Sequence, residues 1–260
     1  MRADVRFEVN GAVATVVFDH ADRRNAMTKR MWEQIPGICA EIERSSRIRV
    51  VVLRGAGNVA FVAGADISEF RDIRQGSGGV RYDEMTAAAT SALTNLPKPV
   101  VALIHGFCIG GGLALALSAD IRYASHDAVF GLPPARLGIG YSSEGIGRLV
   151  DLIGPAATKE LIFTADWIDA DKACRWGLVN DVVPASDLDE MVATKVATMV
   201  SRAPLSQLAA KRAVANHLAD DAHRDEAAIQ ALVRRCIESA DYQEGLAAYL
   251  EKRQPRFTGA

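Results

Sequence analysis

The chain opens with apolar residues at strand spacing, followed by apolar residues at helical spacing. Residues 5–9 and 12–18 are β-rich runs separated by an Asn-Gly pair, which is typical of a tight hairpin turn. Over residues 28–44 apolar side chains recur at helical spacing, and Thr28 is suited to cap the first turn. The pattern therefore predicts a β-hairpin followed by an amphipathic helix.

Short apolar runs then alternate with helical patterns. The predicted buried strands are residues 49–53, 100–104 and 121–123, and the predicted helices between them are residues 82–93 and 111–118. Strands that alternate with helices favour a mainly parallel sheet with helical crossovers. We therefore expect an α/β fold class for this part of the chain.

The rest of the chain, after Gly154, is helical in pattern almost throughout. Helices are predicted over residues 155–163, 169–175, 186–202, 205–217, 221–239 and 242–252. The change of character between Gly154 and Pro204 divides the chain into an α/β part and a helical C-terminal part, and the predicted domains are residues 1–200 and 201–260.

Two segments of unusual composition are interpreted separately. Residues 100–119 carry no charge and have the length of a membrane span, but Gly106 and the glycines at 110–112 interrupt the run and Asp120 ends it. A buried strand, a glycine turn and a buried helix are the favoured interpretation. Residues 71–80 are polar and glycine-rich, which predicts a mobile loop.

Composition argues against several classes of function. The 260 residues hold 30 Lys+Arg and 32 Asp+Glu, a net charge of −2, so there is no basic excess for a nucleic-acid partner. The four cysteines show neither CxxC nor CxxH spacing, which argues against a disulfide framework and a metal site. Asp4 and Glu8 stand where a signal peptide is apolar and a transit peptide lacks acids. We therefore expect a cytoplasmic protein without nucleic-acid, membrane or metal partners.

Candidate chemistry lies in two segments poor in side chains. Residues 61–66 follow a predicted strand, and their Gly-Ala pair leaves the amide of Ala65 open to a ligand. Residues 110–112 are three glycines between a strand and a helix, where backbone N–H groups favour negative charge. Each segment alone is explained at least as well by a tight turn or by close packing. Together, the amides of Ala65 and Gly111 could converge on one carbonyl oxygen as an oxyanion hole for a thioester enolate.

An ordered set of motifs spans nearly the whole chain. In sequence order these are NAM (25–27), RVVVLRG (49–55), FVAGAD (61–66), KPVVA (98–102), GFCIGGGLALALSAD (106–120), FG (130–131), LG (137–138), ACRWGLVNDVV (173–183) and LEKRQPRF (250–257). In these motifs the chain resembles the crotonase, or enoyl-CoA hydratase/isomerase, superfamily. The resemblance implies a crotonase-like ββα superhelix with a CoA-thioester site over residues 1–200, and a helical C-terminal trimerisation region over residues 201–260.

The same resemblance implies the substrate, the assembly and a set of binding residues. The substrate is an acyl-CoA whose thioester carbonyl is bound by the amides of Ala65 and Gly111, with no separate cofactor. The assembly is a homotrimer or a hexamer of two trimers. The residues expected to contact the CoA or the acyl group are Arg24, Ala63, Asp66, Ile67, Gly110, Leu132, Tyr249 and Lys252. Of these, Arg24 and Lys252 match the family's basic contacts to CoA phosphates, and Tyr249 is placed to cover the CoA of a neighbouring subunit.

Two departures from the family pattern bear on the reaction. The family's hydratases carry glutamates at the positions of Ala114 and Pro134. Hydration needs two carboxylates to activate water and to protonate the α-carbon, which neither alanine nor proline can do. The family's isomerases also keep the second position acidic. These substitutions favour a reaction that needs no pair of carboxylates.

Other segments resemble the family's methylmalonyl-CoA decarboxylases. They are LGIGY (137–141), KELIFTA (159–165), DYQEG (241–245) and LEKR (250–253). Loss of CO2 leaves a thioester enolate, which an oxyanion hole stabilises. The resemblance implies that Tyr141 orients the carboxylate that is lost. Ala65 departs from the pattern, because those decarboxylases have a histidine there.

Glu144 keeps a second reaction open. If its side chain faces the site, it can shuttle a proton in hydration or isomerisation, as acidic residues of this region do in some family members. If it faces solvent, it is a favourable carboxylate in the first turn of a helix that starts near Ser143. A charged glutamate in the site would repel a malonyl-type carboxylate. The sequence favours decarboxylation, with Glu144-dependent hydration or isomerisation in fatty-acid metabolism as the alternative, and a non-catalytic CoA-binding scaffold as the third interpretation.

Overall fold

The strands of the protein form two sheets. The computed structural model describes residues 3–69, 78–141 and 143–260, with Glu144 described by its backbone alone. The strands are β1 (Asp4–Asn10), β2 (Val13–Asp19), β3 (Val50–Gly55), β4 (Ala60–Val62), β5 (Val100–Ile104), β6 (Phe107–Ile109), β7 (Ile121–Ser125), β8 (Val129–Gly131), β9 (Ile168–Asp169) and β10 (Asp181–Val183). β1 and β2 pair antiparallel, which confirms the predicted hairpin.

In the middle of the chain, successive strands belong to the two sheets in turn. The larger has the strand order β1-β2-β3-β5-β7-β10, and the smaller has the order β4-β6-β8-β9. Neighbouring strands are parallel except in the pairs β1–β2 and β8–β9. From β3 to β8 each strand of the larger sheet is followed by one of the smaller sheet. This alternation is the expected ββα superhelix, and the α/β prediction is confirmed.

The sequence analysis misses the short strands. No strand is predicted between residues 55 and 64, yet β4 lies there, and the other strands of the smaller sheet have three residues or two. Such runs are too short to show a period. β10 lies in the half of the chain predicted to be helical, yet it forms the edge of the larger sheet beside β7. The expectation of a nearly all-helical second half is therefore wrong at this strand.

Helices connect the strands and form the C-terminal part. They are α1 (Lys29–Arg44), α2 (Gly78–Thr94), α3 (Gly111–Leu117), α4 (Ser143–Thr164), α5 (Ala170–Arg175), α6 (Leu188–Val200), α7 (Pro204–Leu218), α8 (Glu226–Glu238) and α9 (Ala240–Leu250). Thr28 caps α1 as predicted, because its Oγ1 accepts from the N–H of Met31 at 3.3 Å. Gly154, with φ 74° and ψ 167°, interrupts α4. Residues 78–80, predicted to be in a mobile loop, are helical in α2, whereas residues 71–77 of that loop lie outside the described residues.

Both faces of the larger sheet are covered, which explains its wholly apolar strands. On one face Val51 and Leu53 of β3 and Ala102 of β5 pack in the main core, which also holds the buried side chains of the smaller sheet. On the other face Val52 and Val101 pack against α6. Residues 100–119 contribute the predicted strand β5 and the predicted helix α3 to this core, together with β6, which was not predicted. Within the described ranges no helix is long and apolar enough to cross a membrane.

The C-terminal helices keep large apolar side chains on the surface. The exposed ones on α7, α8 and α9 are Val214, Leu218, Val233, Ile237, Tyr242, Leu246, Tyr249 and Leu250. The tail after α9 folds back, because the buried carboxylate of Asp241 accepts from the N–H of Thr258 at 2.6 Å and of Gly259 at 2.9 Å. The predicted boundary near residue 200 falls between α6 and α7, and the division into two domains stays a prediction.

Candidate active site

A cavity of about 470 Å³ opens between α2, α4 and the segments that follow β4, β6 and β8. Its wall is mostly apolar, and it includes both Ala65 and Gly111. Ala63, Ile67, Gly110 and Leu132 also line it, as expected of residues that bind the substrate. The two candidate oxyanion segments are therefore parts of one site.

Two hydrogen bonds to a neighbouring segment aim the amide of Ala65. The N–H of Met27 donates to the carbonyl of Gly64 at 2.8 Å, and the N–H of Asp66 donates to the carbonyl of Met27 at 2.8 Å. Ala65 is bridged to Met27 in this parallel pairing. The bridged residue between two such bonds directs its own N–H to the opposite side. The amide of Ala65 therefore points away from Met27.

The buried side chain of Asn25 fixes the segment on which Ala65 rests. Arg24 and Asn25 both have positive φ, 52° and 59°, so the backbone turns sharply there. The Oδ1 of Asn25 accepts from the N–H of His20 at 3.1 Å, and its Nδ2 donates to the carbonyl of Ala60 at 2.8 Å. The carbonyl of Arg24 in turn accepts from the N–H of Ala63 at 3.0 Å. The loop after β4 is thus held from outside the cavity.

Gly111 brings the second amide next to the first. A Cβ atom built on Gly111 would lie 3.9 Å from the amide nitrogen of Ala65 and 3.0 Å from Cζ2 of Trp32. The backbones at Ala65 and Gly111 are therefore close neighbours, although they are far apart in the sequence. The missing side chain leaves space between them on the cavity side.

The other two glycines of the triplet, Gly110 and Gly112, have different structural roles. Gly110 has φ 55° and ψ −114°, a conformation that L side chains rarely adopt. A Cβ atom on Gly112 would lie 2.1 Å from the carbonyl oxygen of Val62, so this glycine permits α3 to pack on β4. Close packing thus explains Gly112, while Gly111 is the glycine that shapes the cavity.

Both candidate amides are open to an acceptor. Neither the N–H of Ala65 nor that of Gly111 donates a hydrogen bond to any residue of the described chain. Both residues are half-buried. Because N–H groups withdrawn from solvent are nearly always bonded, a pair without a protein acceptor is suited to a ligand oxygen. The structure brings the two predicted residues together, and their action as an oxyanion hole stays a prediction.

Comparison with known proteins gives the family. The sequence model of the enoyl-CoA hydratase/isomerase family matches residues 8–260. This chain belongs to that family. It is 36% identical over 251 residues to the short-chain-enoyl-CoA hydratase of Clostridium acetobutylicum, with 96% of both chains covered. It is 32% identical over 255 residues to the methylmalonyl-CoA decarboxylase of Escherichia coli, with 95% of both covered.

Comparison with solved structures agrees with this family assignment. The crystal structure of an enoyl-CoA hydratase/carnithine racemase from Magnetospirillum magneticum superimposes with a TM-score of 0.94 at 34% identity, covering 100% of this chain and 97% of that one. The predicted membership of the crotonase superfamily is confirmed. The protein is accordingly an acyl-CoA enzyme of this superfamily.

Neither of the positions that hold glutamates in the family's hydratases carries a carboxylate in this enoyl-CoA hydratase/isomerase family member. Ala114 and Pro134, which replace them, both line the wall. Leu132, only 2% exposed, lies just before Pro134 in the chain and also lines the wall. Among the described lining residues the acidic ones are Asp83 and Glu84 on α2, and both are exposed. The two family positions that would activate water hold no carboxylate.

Tyr141 and Glu144 flank the start of α4. Tyr141 lines the cavity and is 36% exposed. α4 begins at Ser143, as predicted. The side chain of Glu144, expected either in the site or in solvent, lies outside the described residues, so its catalytic role stays a prediction. Gly145 and Arg148 continue the cavity wall along α4.

Four residues predicted to bind substrate do not line the cavity of their own chain. Arg24 is exposed, with its guanidinium carbon 4.5 Å from the centre of the Phe107 ring. Tyr249 lies exposed near the end of α9 and Lys252 lies exposed just after it, and neither is among the lining residues. Their contacts to CoA, and that of Tyr249 to a neighbouring subunit, stay predictions.

Asp66 is the fourth of these residues, and its carboxylate is engaged locally. Oδ1 of Asp66 accepts from the N–H of Ser68 at 3.0 Å and from its Oγ at 2.6 Å. Burial raises the pKa of Asp66, but the bonds from Ser68 and the nearby charge of Arg23 outweigh it and lower the pKa overall. In this structure Asp66 stabilises the short turn that follows Ala65.

The sequence analysis misses three parts of the wall. Trp32 is fully buried and lies against Gly111, but its helical spacing marks it only as a core residue. Thr90 on α2 and Arg148 on α4 line the cavity as well. Polar residues recur four apart on one face of α2, and this spacing could have identified the face that lines the cavity. No pattern around Arg148 points to a cavity.

Proposed function

We propose that this chain decarboxylates a malonyl-type CoA thioester, such as methylmalonyl-CoA, through an enolate. One combination at the cavity wall supports the proposal. The amides of Ala65 and Gly111 are open to a ligand, while Ala114 and Pro134 occupy the positions of the hydratase glutamates. The amides suit a reaction that forms an enolate, and the missing carboxylates disfavour one that must activate water.

In the proposed reaction the thioester oxygen lies between the two amides. The bond between the α-carbon and the carboxylate breaks, its electron pair moves into the thioester enolate, and CO2 leaves. Negative charge thus moves from the carboxylate to the thioester oxygen, where the N–H groups of Ala65 and Gly111 stabilise it. A proton from solvent then adds to the α-carbon, which converts methylmalonyl-CoA to propionyl-CoA. No general base is needed.

Tyr141 is the proposed orienting residue. The bond that breaks has to stand out of the thioester plane, so that its electrons can enter the carbonyl system. A phenol at the cavity wall can donate to the carboxylate and hold it in that position. We propose for Tyr141 the role that the resemblance to the family's decarboxylases implies, although Ala65 stands where those enzymes carry a histidine.

The proposed assembly is a homotrimer or a hexamer of two trimers. Exposed apolar side chains on α7, α8 and α9, such as Leu246 and Leu250, are the proposed subunit contacts. In such an assembly Tyr249 approaches the CoA of a neighbouring subunit, which would explain why it does not line its own cavity. Lys252 is the proposed contact to a CoA phosphate. CoA itself is part of the substrate, and no further cofactor is proposed. Light scattering on Leu246→Glu tests the assembly, with a smaller particle as the expected result.

The deciding experiment uses two substrates. The protein is incubated separately with methylmalonyl-CoA and with crotonyl-CoA, and the products are followed by mass spectrometry. Propionyl-CoA from the first and no water addition to the second is the expected result. Unchanged methylmalonyl-CoA after prolonged incubation would refute the proposal.

Hydration or isomerisation is the second candidate, because named relatives point to it. The relatives from Clostridium acetobutylicum and Syntrophomonas wolfei are a short-chain-enoyl-CoA hydratase and a crotonyl-CoA hydratase. Glu144 would then shuttle the proton. Water addition to crotonyl-CoA that disappears in Glu144→Gln would favour this candidate, whereas methylmalonyl-CoA turnover that survives Glu144→Gln favours decarboxylation. A protein that binds CoA and converts neither substrate would be the non-catalytic scaffold.

A further inference from the structure

A short turn of the chain follows the amide of Ala65 and lies against the start of α1. Residues Ile67–Glu69 form a single 3-10 turn. The turn is closed at its base, because the carbonyl of Asp66 accepts from the N–H of Glu69 at 3.1 Å. Its first residue, Ile67, lines the cavity. The turn is therefore part of the wall beside the candidate oxyanion hole.

The carboxylate of Glu69 joins this turn to α1. Its Oε2 accepts from the N–H of Lys29, the first residue of α1, at 2.7 Å, although the two residues are 40 positions apart in the chain. The first N–H groups of a helix have no partner within the helix, and the helix dipole favours a carboxylate beside them. The side chain of Thr28 serves the N–H of Met31, and Glu69 serves that of Lys29.

The bond from Lys29 to Glu69 adds to two backbone bonds that hold the segment of Ala65 in place. Those two bonds join Met27 to the carbonyl of Gly64 and to the N–H of Asp66. The carbonyl of Gly64 and the N–H of Ala65 belong to one planar peptide unit, so the bond from Met27 sets the direction of that N–H. Glu69 holds the same two segments together just beyond this pairing. Loss of its bond loosens one end of the pairing and with it the direction of the amide.

We infer that Glu69 is a positioning residue, which acts on the reaction through the amide of Ala65. The inference rests on the oxyanion hole of the proposed function, because that amide receives the charge of the enolate. Charge grows on the thioester oxygen as the reaction proceeds, so a well-aimed amide stabilises the transition state more than the bound substrate. Removal of the Glu69 carboxylate is therefore expected to lower kcat and to leave KM nearly unchanged.

The carbonyl stretch of a bound thioester, measured by infrared spectroscopy, reports the direction of the amide. The probe is propionyl-CoA carrying an isotope label at the thioester carbon, and it has no carboxylate to lose. In the wild-type protein two N–H donors should shift this stretch to lower wavenumber than in the free probe. We expect Glu69→Ala to lose about half of the shift or more. Glu69→Gln should keep most of it, because its side-chain oxygen still accepts from the N–H of Lys29.

Steady-state kinetics provide the second measurement. For methylmalonyl-CoA we expect kcat to fall about 10- to 100-fold in Glu69→Ala, and both kcat and KM to stay within about threefold of the wild type in Glu69→Gln. Circular dichroism shows that each variant is folded under the conditions used. If Glu69 only stabilised α1, Glu69→Ala would lower the free energy of unfolding and leave the carbonyl stretch as in the wild type. That result would overturn the assignment.

Lys29→Pro breaks the same hydrogen bond from the other side. Proline has no N–H, and it is well tolerated as the first residue of a helix. The preceding residue, Thr28, has φ −82° and ψ 161°, which is compatible with a following proline. Lys29→Pro should therefore reproduce the loss of the carbonyl shift while Glu69 is still present. It also decides the matter if Glu69→Ala does not fold: a carbonyl stretch as in the wild type would overturn the assignment.

Glu33→Ala is the matched control for both variants. Glu33 is exposed, and its Oε1 lies 3.6 Å from the side-chain Nζ of Lys29 rather than at the backbone. Its removal breaks the other contact of Lys29 and should change neither the carbonyl stretch nor kcat. A loss of the shift in Glu33→Ala as large as in Glu69→Ala would contradict the assignment.

The outcomes separate this assignment from the proposed function. A wild-type protein whose carbonyl shift depends on Glu69, yet which consumes no methylmalonyl-CoA, refutes decarboxylation and upholds the assignment. Decarboxylation with the same carbonyl stretch in Glu69→Ala as in the wild type does the opposite. A wild-type stretch equal to that of the free probe would overturn the assignment, because the amide would then not bind the carbonyl.

Discussion

Gly112 packs directly on the backbone of Val62, and a methyl group on Gly112 would lie 2.1 Å from the carbonyl oxygen of Val62. Any side chain there has to push α3 away from β4. Gly112→Ala is therefore expected to lower the free energy of unfolding by about 1–3 kcal/mol. Urea denaturation followed by circular dichroism measures the change.

A matched glycine provides the control for this substitution. Gly37 is exposed within α1, and a Cβ atom on it would have no atom within 4 Å. Gly37→Ala should stabilise the protein by about 0.5–1 kcal/mol, because alanine favours the helix more than glycine does. Equal stabilities of the Gly112→Ala and Gly37→Ala proteins would contradict the packing argument.

Gly111→Ala tests whether the thioester oxygen binds between the amides of Ala65 and Gly111. The added methyl group would lie 3.9 Å from the nitrogen of Ala65 and 3.0 Å from the ring of Trp32, a side chain that can shift. Stability should fall less than in Gly112→Ala, whereas kcat/KM for methylmalonyl-CoA should fall about 100-fold, because the thioester oxygen loses its place between the amides. Steady-state kinetics and denaturation are measured on the same preparations. Full activity would mean that the carbonyl binds elsewhere.

Tyr141→Phe removes the phenol but keeps the ring in the cavity wall. We expect kcat for methylmalonyl-CoA to fall about 10- to 100-fold, because the carboxylate loses a hydrogen bond that orients it. The affinity for propionyl-CoA should not change, since that product has no carboxylate. Tyr242→Phe, at an exposed position on α9, removes a phenol outside the cavity and is the control. Unaltered turnover in Tyr141→Phe would remove Tyr141 from the mechanism.

Asp189 gives the stability of the protein a predictable dependence on pH. Its Oδ1 accepts from Nη1 of Arg54 at 2.6 Å, and its Oδ2 lies 3.0 Å from Nε2 of the buried His105. Burial raises the pKa of Asp189, but the hydrogen bond from His105 and the charge of Arg54 outweigh it and lower the pKa overall. The folded pKa therefore lies below the unfolded value of about 3.9.

The direction of the pH dependence follows from the folded pKa of Asp189 being lower than its unfolded pKa. A depressed carboxyl pKa stabilises the folded state above the unfolded pKa, and the contribution disappears as pH falls through the folded pKa. Asp189→Asn should therefore lower the free energy of unfolding at neutral pH, and its difference from the wild type should shrink below about pH 4. Urea titrations across this range measure the difference, with the exposed Asp187→Asn as control. A difference that grows towards acid pH would contradict the assignment.

The larger elements of the fold could be predicted, and the smaller ones could not. The β1–β2 hairpin and α1 are long enough to show a period, and Thr28 marks the start of the helix. The strands of the smaller sheet have three residues or two, so that no period develops. β10 is formed because β7 offers it a parallel edge, which is a tertiary effect.

The candidate site also has parts that could be predicted from the sequence and parts that could not. Ala65 and Gly111 could be identified because a backbone without large side chains is visible in the sequence. The separate tasks of Gly111 and Gly112 could not, since only the packing of α3 on β4 distinguishes them. Arg148 was missed because its place at the cavity depends on how α4 lies against α2.

The hydrogen bonds of the Asn25 side chain lie wholly outside the cavity wall. The position of the Ala65 amide is consequently fixed when the chain folds, and no turnover has to set it again. Wall residues such as Ala114 and Pro134 can change without disturbing that position. Proteins with this fold can therefore acquire a new acyl-CoA reaction through a few substitutions in the cavity wall. The backbone amide proposed to bind the thioester carbonyl keeps its position.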